Sequence, residues 1–412
     1  MKELHPMRPG FSPLSLAALL IILAACSTPK STSLAAPTPP ASNPASAPDP
    51  QPGTRPTGGT ITGLKLVKKL NVPAGPKSLR VLPDGKRVMT CNLYGYQVTF
   101  IDAQTCEILR KVPVGGEPVE CTFTRGGKYA WVSLYGSERV GATSVVVVID
   151  TETYQIVARI PAGRVPKVVA ESPDGKWVYA ANWLSESITV MDAEKLTKVK
   201  DVPVGRVPRG ICFAPDGKLA YVCIMGGHSL AVIDVEQGHQ KVRDIETGYN
   251  PRHVCVSQDG KLLYVALNAS GTLIKIDRAT ETIIGRAKTG TQARSTSLSI
   301  DDRYAFVCNY EDNNLGVVDL DQMKQLFTVK TDVHPIGVTT IPDGKYVWVS
   351  NYRPSTVYVF EIEYAAAGSA GVPPASLLEN WASARMSAGC YSTVADATER
   401  LGDTLPSIEM PG

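Results

Sequence analysis

Seven short apolar segments in the middle of this chain each run into a polar turn, and eight residues before that turn the side chain is basic in five of them. These are Lys77, Lys167, Arg209, Arg252 and Arg294, with Val119 and Ile336 at the other two positions. A guanidinium offers a planar fork of donors that matches phosphate or carboxylate, and an ammonium offers a compact charge, so the recurring position suits an anion. Eight residues after the turn, four of the seven side chains are aromatic: Tyr135, Trp183, Tyr310 and Tyr352. Rings in such places stack on bases or sugars. One residue beyond the basic position stand Glu120 and His253, a carboxylate and an imidazole of the kind proton transfer needs.

Other chemistry finds little support. The histidines beyond the N-terminal leader are His228, His239, His253 and His334, and none falls in an HxH or HExxH arrangement that would hold zinc. There is no CxxCH, no GxSxG elbow and no Walker phosphate loop. No metal and no cofactor is expected, and no residue is assigned a catalytic role.

The elements that must position these residues follow from the turns. Gly85, Gly127, Gly175, Gly217, Gly260 and Gly344 fall in register, and Asp302 fills the slot before the last, giving steps of 42, 48, 42, 43, 42 and 42 residues. Each repeat reads as four strands. Strand a precedes the turn (GICFA), strand b follows it (WVYAAN), strand c ends on an acid (VVVVID) and strand d follows a second polar turn (YQIVARIPAG). A period in the low forties with four short strands predicts an all-β fold, a seven-bladed β-propeller with four-stranded blades. The last repeat stops after strand c, and an unmatched strand, LKLVKKLNVPAG, precedes the first. The N-terminal strand is therefore expected to complete the last blade and close the ring, which removes exposed ends. The six extra residues of the second repeat fall in LYGSERVGATS, between strands b and c.

In such a blade the d–a and b–c loops leave on one face, which would gather the basic and aromatic positions at the mouth of the central channel. Glu120 and His253 belong to blades 2 and 5, on opposite sides. Two readings of the basic ring follow. Five converging cations that repel one another call for an anion, with an aromatic rim of Trp183, Tyr310 and Tyr352 that would serve a protein partner equally well. Alternatively, duplication copied a side chain that bonds neighbouring carbonyls at the start of each blade.

The strand-b segments Val178-Tyr179-Ala180-Ala181-Asn182 and Val347-Trp348-Val349-Ser350-Asn351, the P-V-G-x-x-P stretches Pro113 to Pro118 and Pro203 to Pro208, and the Pro-Asp-Gly-Lys turns resemble the YVTN family of seven-bladed propellers. The resemblance runs over about residues 62 to 363. It implies the fold and, less specifically, a role like those of surface-layer proteins, periplasmic binding proteins and lipoproteins, since propellers host unrelated activities. The function expected is that of a non-enzymatic, envelope-anchored binding or scaffolding protein. A second, weaker likeness to seven-bladed lactonases offers the alternative of sugar-lactone hydrolysis.

The ends read differently. Lys2 and Arg8 precede an apolar run from Leu14 to Ala25 that is too short to span a bilayer and ends in Leu23-Ala24-Ala25-Cys26, which looks like a bacterial lipobox. Residues 1–25 are expected to be a lipoprotein signal peptide, and Cys26 the lipidated N-terminus and membrane anchor. Ser27 beside it leans toward the outer membrane. Residues 26–60, rich in Pro, Ala and Ser, read as a disordered tether, 61–364 as the propeller and 365–412 as a low-complexity tail. A formal net charge of +3 singles out no partner. Seven of the nine cysteines lie in or beside the repeats without a CxxC pair and read as small buried thiols; Cys212 and Cys223 fall diagonally across one hairpin, a poor geometry for a bridge. A monomer is the default expectation.

Overall fold

The computed structural model describes residues 59–136 and 144–365. The expected signal peptide, Cys26, the Pro-rich segment, the C-terminal tail and part of the long loop of the second repeat lie outside the described residues.

Seven antiparallel sheets of four strands make up the fold, with one turn of 3-10 helix at Arg125–Gly127. Blade 1 runs from its inner strand a, Pro76–Val81, through b, Arg87–Asn92, and c, Gln97–Asp102, to its outer strand d, Ile108–Pro113. The inner strands of blades 2 to 7 are Pro118–Thr124, Pro166–Glu171, Pro208–Phe213, Pro251–Val256, Ala293–Leu298 and Pro335–Thr340. Each inner strand touches those of both neighbouring blades, blade 7 meeting blade 1, so the ring is closed. The strand Ile61–Asn71 pairs with Thr356–Tyr364, from Ile61 opposite Tyr364 to Asn71 opposite Thr356, and forms the outer strand of blade 7. The chain thus forms the expected all-β, seven-bladed propeller, closed as expected.

Local chemistry explains why the repeat folds this way. In the a–b turn of blade 1 the Leu82 N–H donates to the Arg87 carbonyl at 2.7 Å across four residues, and Gly85 sits at φ 67°, which glycine adopts without a Cβ penalty. The Asp84 carboxylate accepts the Lys86 N–H at 2.8 Å and braces the loop. The acid that ends strand c folds the next turn. Asp150 Oδ1 accepts the N–H groups of Glu152 at 3.0 Å and Thr153 at 2.8 Å, and Asp102 and Asp192 repeat the arrangement. The bond from the residue three places on is the main reason that the carboxyls of Asp102, Asp150 and Asp192 lie below the ordinary Asp value.

Because these folded-state values are depressed, the contribution is complete above the unfolded Asp value of 3.8 and fades as pH falls through the lower folded value. Asp150→Ala is expected to cost about 1 kcal/mol at pH 7, as loss of a comparable side-chain cap does. The deficit should shrink below about pH 4, where the wild-type carboxylate is itself protonated. Urea midpoints at pH 7 and pH 3 would show this, and a deficit independent of pH would contradict it.

Between blades, the third residue of every strand b fills the gap with a large side chain: Met89, Trp131, Tyr179, Tyr221, Tyr264, Phe306 and Trp348, all buried. Two of these side chains make polar contacts within the seams. Trp131 Nε1 donates to Thr124 Oγ1 at 2.9 Å, and the Tyr179 hydroxyl lies 2.7 Å from His239 Nδ1. Cys212 stands in register with Tyr221, and the seven described cysteines are free thiols.

Candidate functional site

The face carrying the d–a and b–c loops is built by one recurring hydrogen bond. The residue just before strand a is in the left-handed region in most blades, including Val165 at φ 55°, Val207 at 57°, Asn250 at 54°, Gln292 at 55° and His334 at 60°. Its carbonyl turns toward the b–c loop and accepts the N–H of the residue after strand b. Trp183 donates to Val165 at 3.0 Å, Tyr310 to Gln292 at 3.3 Å and Tyr352 to His334 at 2.9 Å; Tyr135 likewise donates to Glu117 at 2.8 Å. The basic residue follows two places after this carbonyl, so one bond fixes the cation and the aromatic of a blade together. A β-branched residue at positive φ is strained by on the order of 1–3 kcal/mol, which only a well-determined loop sustains.

Strand a also slips against strand b in all seven blades. The pairing shifts between Pro166 and Val169, between Pro208 and Ile211, and at the equivalent place in each other inner strand. Such a bulge re-aims the side chain within it, and here that side chain is the basic one.

The result differs from an exposed ring of charges. Lys77, Lys167, Arg209, Arg252 and Arg294 are all buried. Lys167 Nζ lies 3.7 Å from the centre of the Tyr135 ring and 5.1 Å from that of Trp183, while the Arg209 guanidinium lies 5.0 Å from that of Trp183. Tyr135, Lys167, Trp183 and Arg209 therefore form one alternating run across blades 2, 3 and 4. Lys77 stands over Tyr352 at 3.7 Å across the closure, and Arg294 over Tyr310 at 3.2 Å. The Tyr310 ring in turn stacks on His334 at 4.1 Å and 8°. Ring faces are negative, and a desolvated cation over one gains about 2 kcal/mol.

This corrects two expectations. The cations do not simply face one another, because Lys77, Lys167, Arg209 and Arg294 stand over aromatic rings. Nor do the aromatics form an exposed rim: Tyr310 and Tyr352 are each 2% exposed and Tyr135 is 5% exposed, leaving Trp183 as the half-buried member. They pack instead with Leu93, Val119, Val165 and Ile336.

Glu120 and His253 are both buried, on the inner strands of blades 2 and 5. The Glu120 N–H donates to Ser133 Oγ at 3.2 Å, and His253 Nδ1 lies 3.6 Å from Cys255 Sγ on its own strand. Two charged residues that counting from the turns had passed over lie further along the inner strands. Arg80 Nη1 donates to the Cys121 carbonyl at 2.8 Å. Burial pushes the Glu171 carboxyl up to about 8, against the opposing pull of Arg80. The inner strands together carry six basic side chains against two carboxyls, and one of those, Glu171, is largely protonated at neutral pH. Low-dielectric walls around such an imbalance focus a positive potential. Among the described residues no group of three or more His, Cys, Asp and Glu is placed to hold a metal ion, and no helix is long and apolar enough to cross a membrane.

Residues 139–367 match the family described as YNCE-like beta-propeller. The chain is a YNCE-like β-propeller. No curated protein matches it. Among solved structures, this YNCE-like propeller is similar to Kuenenia stuttgartiensis Hydrazine Synthase, with 22% identity and a TM-score of 0.64 over 72% of this chain and 98% of that one. It is also similar to the Myceliophteria thermophila Cps50 (Swd1) beta-propeller domain, with 10% identity and a TM-score of 0.63 over 73% of this chain and all of that one. At these identities the likeness shows the fold alone, so function has to come from the site.

Proposed function

We propose that this YNCE-like propeller is a non-enzymatic binding protein that takes an anionic, phosphate- or carboxylate-bearing ligand at the face of the d–a and b–c loops. The observation that carries this is the Tyr135–Lys167–Trp183–Arg209 run, set in inner strands with six basic side chains against two carboxyls. Trp183, half-buried near two cations, offers a ring edge to a base or a sugar while the channel supplies the field. Glu120 and His253, three blades apart, favour binding over joint acid–base work. We further propose that the protein is exported and held at the cell envelope by lipid on Cys26, a reading supported by the lipobox-like Leu23-Ala24-Ala25-Cys26 and by the YVTN-like repeats.

Thermal unfolding of the propeller in inorganic phosphate, single-stranded DNA and acidic glycans, each at two salt concentrations, tests the binding. A ligand that binds only the folded state adds about 2.7 kcal/mol at a hundredfold excess over Kd. A saturable rise in Tm that shrinks with salt and is weakened by Trp183→Ala is expected. No shift with any of the three would end this reading. Mass analysis of the Cys26 peptide from cells tests the anchor separately.

A further inference from the structure

The outer strands hold a charge distribution that the near-neutral total conceals. The seven d strands, Ile61–Asn71, Ile108–Pro113, Ile156–Ala162, Thr197–Pro203, Gln240–Glu246, Thr282–Lys288 and Lys324–Lys330, carry fourteen basic residues and three acids. Lysine on an edge strand is a general defence against edge-to-edge pairing, and a defence of that kind would be spread evenly over seven equivalent edges. The charge is not even. All three acids, Asp201, Asp244 and Glu246, lie on blades 3 and 4. The outer strands of blades 6, 7 and 1 carry seven basic residues and no acid.

The junction of blades 7 and 1 lies within this sector. Lys65, Leu66, Val67 and Lys68 are exposed in succession, because a register shift between Leu66 and Lys68 interrupts the inward–outward alternation. Beside them Ile108, Leu109, Arg110 and Lys111 are also exposed in succession. The two stretches lie on neighbouring blades that pack together: Cys106, in the turn just before Ile108, packs against the apolar cluster that holds Leu70 and Val72. Lys69, by contrast, is partly neutralised by Asp332 at 2.8 Å. Four aliphatic side chains, each 38% exposed or more, thus stand among four cations.

We propose that this blade 7–blade 1 edge is a docking surface for an anionic phospholipid membrane. Basic side chains meet lipid phosphates while interspersed aliphatics enter the headgroup region, the combination that binds interfacially. A soluble polyanion would satisfy the cations but leave Leu66, Val67, Ile108 and Leu109 in water. The choice of membrane also rests in part on the anchored reading, because Ile61–Asn71 is the first strand after the segment that follows Cys26.

All seven sheets and the packing between them lie within residues 59–365, so that segment, without Cys26 or any lipid, is the protein to test. It should co-sediment with vesicles of phosphatidylglycerol and phosphatidylcholine, not with phosphatidylcholine alone, and less at high salt. Each basic residue near such a surface contributes roughly fivefold, so Lys65→Gln, Lys68→Gln, Arg110→Gln and Lys111→Gln combined should lower partitioning by nearly three orders of magnitude. Lys198→Gln with Lys200→Gln, on blade 3, should leave it within twofold. Three results would overturn the proposal: no binding to anionic vesicles, equal loss from the two sets of substitutions, or binding to heparin with none to vesicles. An unlipidated Cys26 in cells would remove the anchor and leave the vesicle result standing.

Discussion

Lys167→Glu is expected to destabilise the propeller by at least about 3 kcal/mol. The Lys167 ammonium is fully buried, 3.7 Å from the centre of the Tyr135 ring. A carboxylate there would face the negative side of that ring instead of being drawn to it, and would be taken out of water. Uncompensated buried charge costs about 3–5 kcal/mol. Lys176→Glu provides the contrast, since its side chain is 72% exposed and its partner Asp174 lies on the surface, 3.1 Å away. A change within about 0.5 kcal/mol is expected there. Urea midpoints of the two variants would decide the matter. Equal, small losses would mean that the cation–aromatic run adds nothing to the fold.

Glu171→Gln should have an effect of similar size, but one that depends on pH. Burial holds the carboxyl at about 8 in the folded state against an ordinary value of 4.5. A folded-state value above the unfolded one means that the native protein binds the extra proton between these limits. The contribution is therefore complete below about pH 4.5, falls as pH rises, and is lost once pH passes about 8. The full difference corresponds to at most about 4–5 kcal/mol. Glutamine resembles the protonated acid at every pH. The variant and the wild type should be equally stable at pH 4.5, and the variant more stable by a few kcal/mol at pH 9. Parallel stability curves from pH 4.5 to pH 9 would show that Glu171 is not protonated in the native protein.

What the sequence revealed, and what it withheld, can be traced to particular residues. The turn glycines and Asp302 counted the blades, because a four-residue turn that needs a left-handed residue tolerates few alternatives. The acid closing strand c was visible as a pattern, and its cause, as at Asp150 the paired bonds from the N–H groups two and three residues on, emerged from the structure. The burial of Lys167 and Arg209 was not legible. The bulge at the start of strand a turns these side chains onto rings contributed largely by the preceding blade, and residue spacing within one blade carries no trace of a neighbour. Arg80 and Glu171 escaped for another reason. Every residue of their strands is buried, so there is no alternation to mark which positions face the channel. The uneven outer charge was present in the sequence all along, but it appears only when residues are grouped by strand.

The pairing of Ile61–Asn71 with Thr356–Tyr364 has a consequence for how the molecule is made. The first strand of the propeller to leave the ribosome finds its partner only after almost the whole propeller has been synthesised. The entropy of closing so long a loop is modest, about 0.6 kcal/mol for each doubling of its length, so the delay concerns timing more than equilibrium. Until Thr356–Tyr364 arrives, the growing chain carries an unpaired N-terminal strand and an incomplete blade. A product truncated before Thr356 could not seal itself, and proteases would meet an open sheet edge. Ring closure thus serves as proofreading of the propeller, with its first strand held in reserve to verify its last.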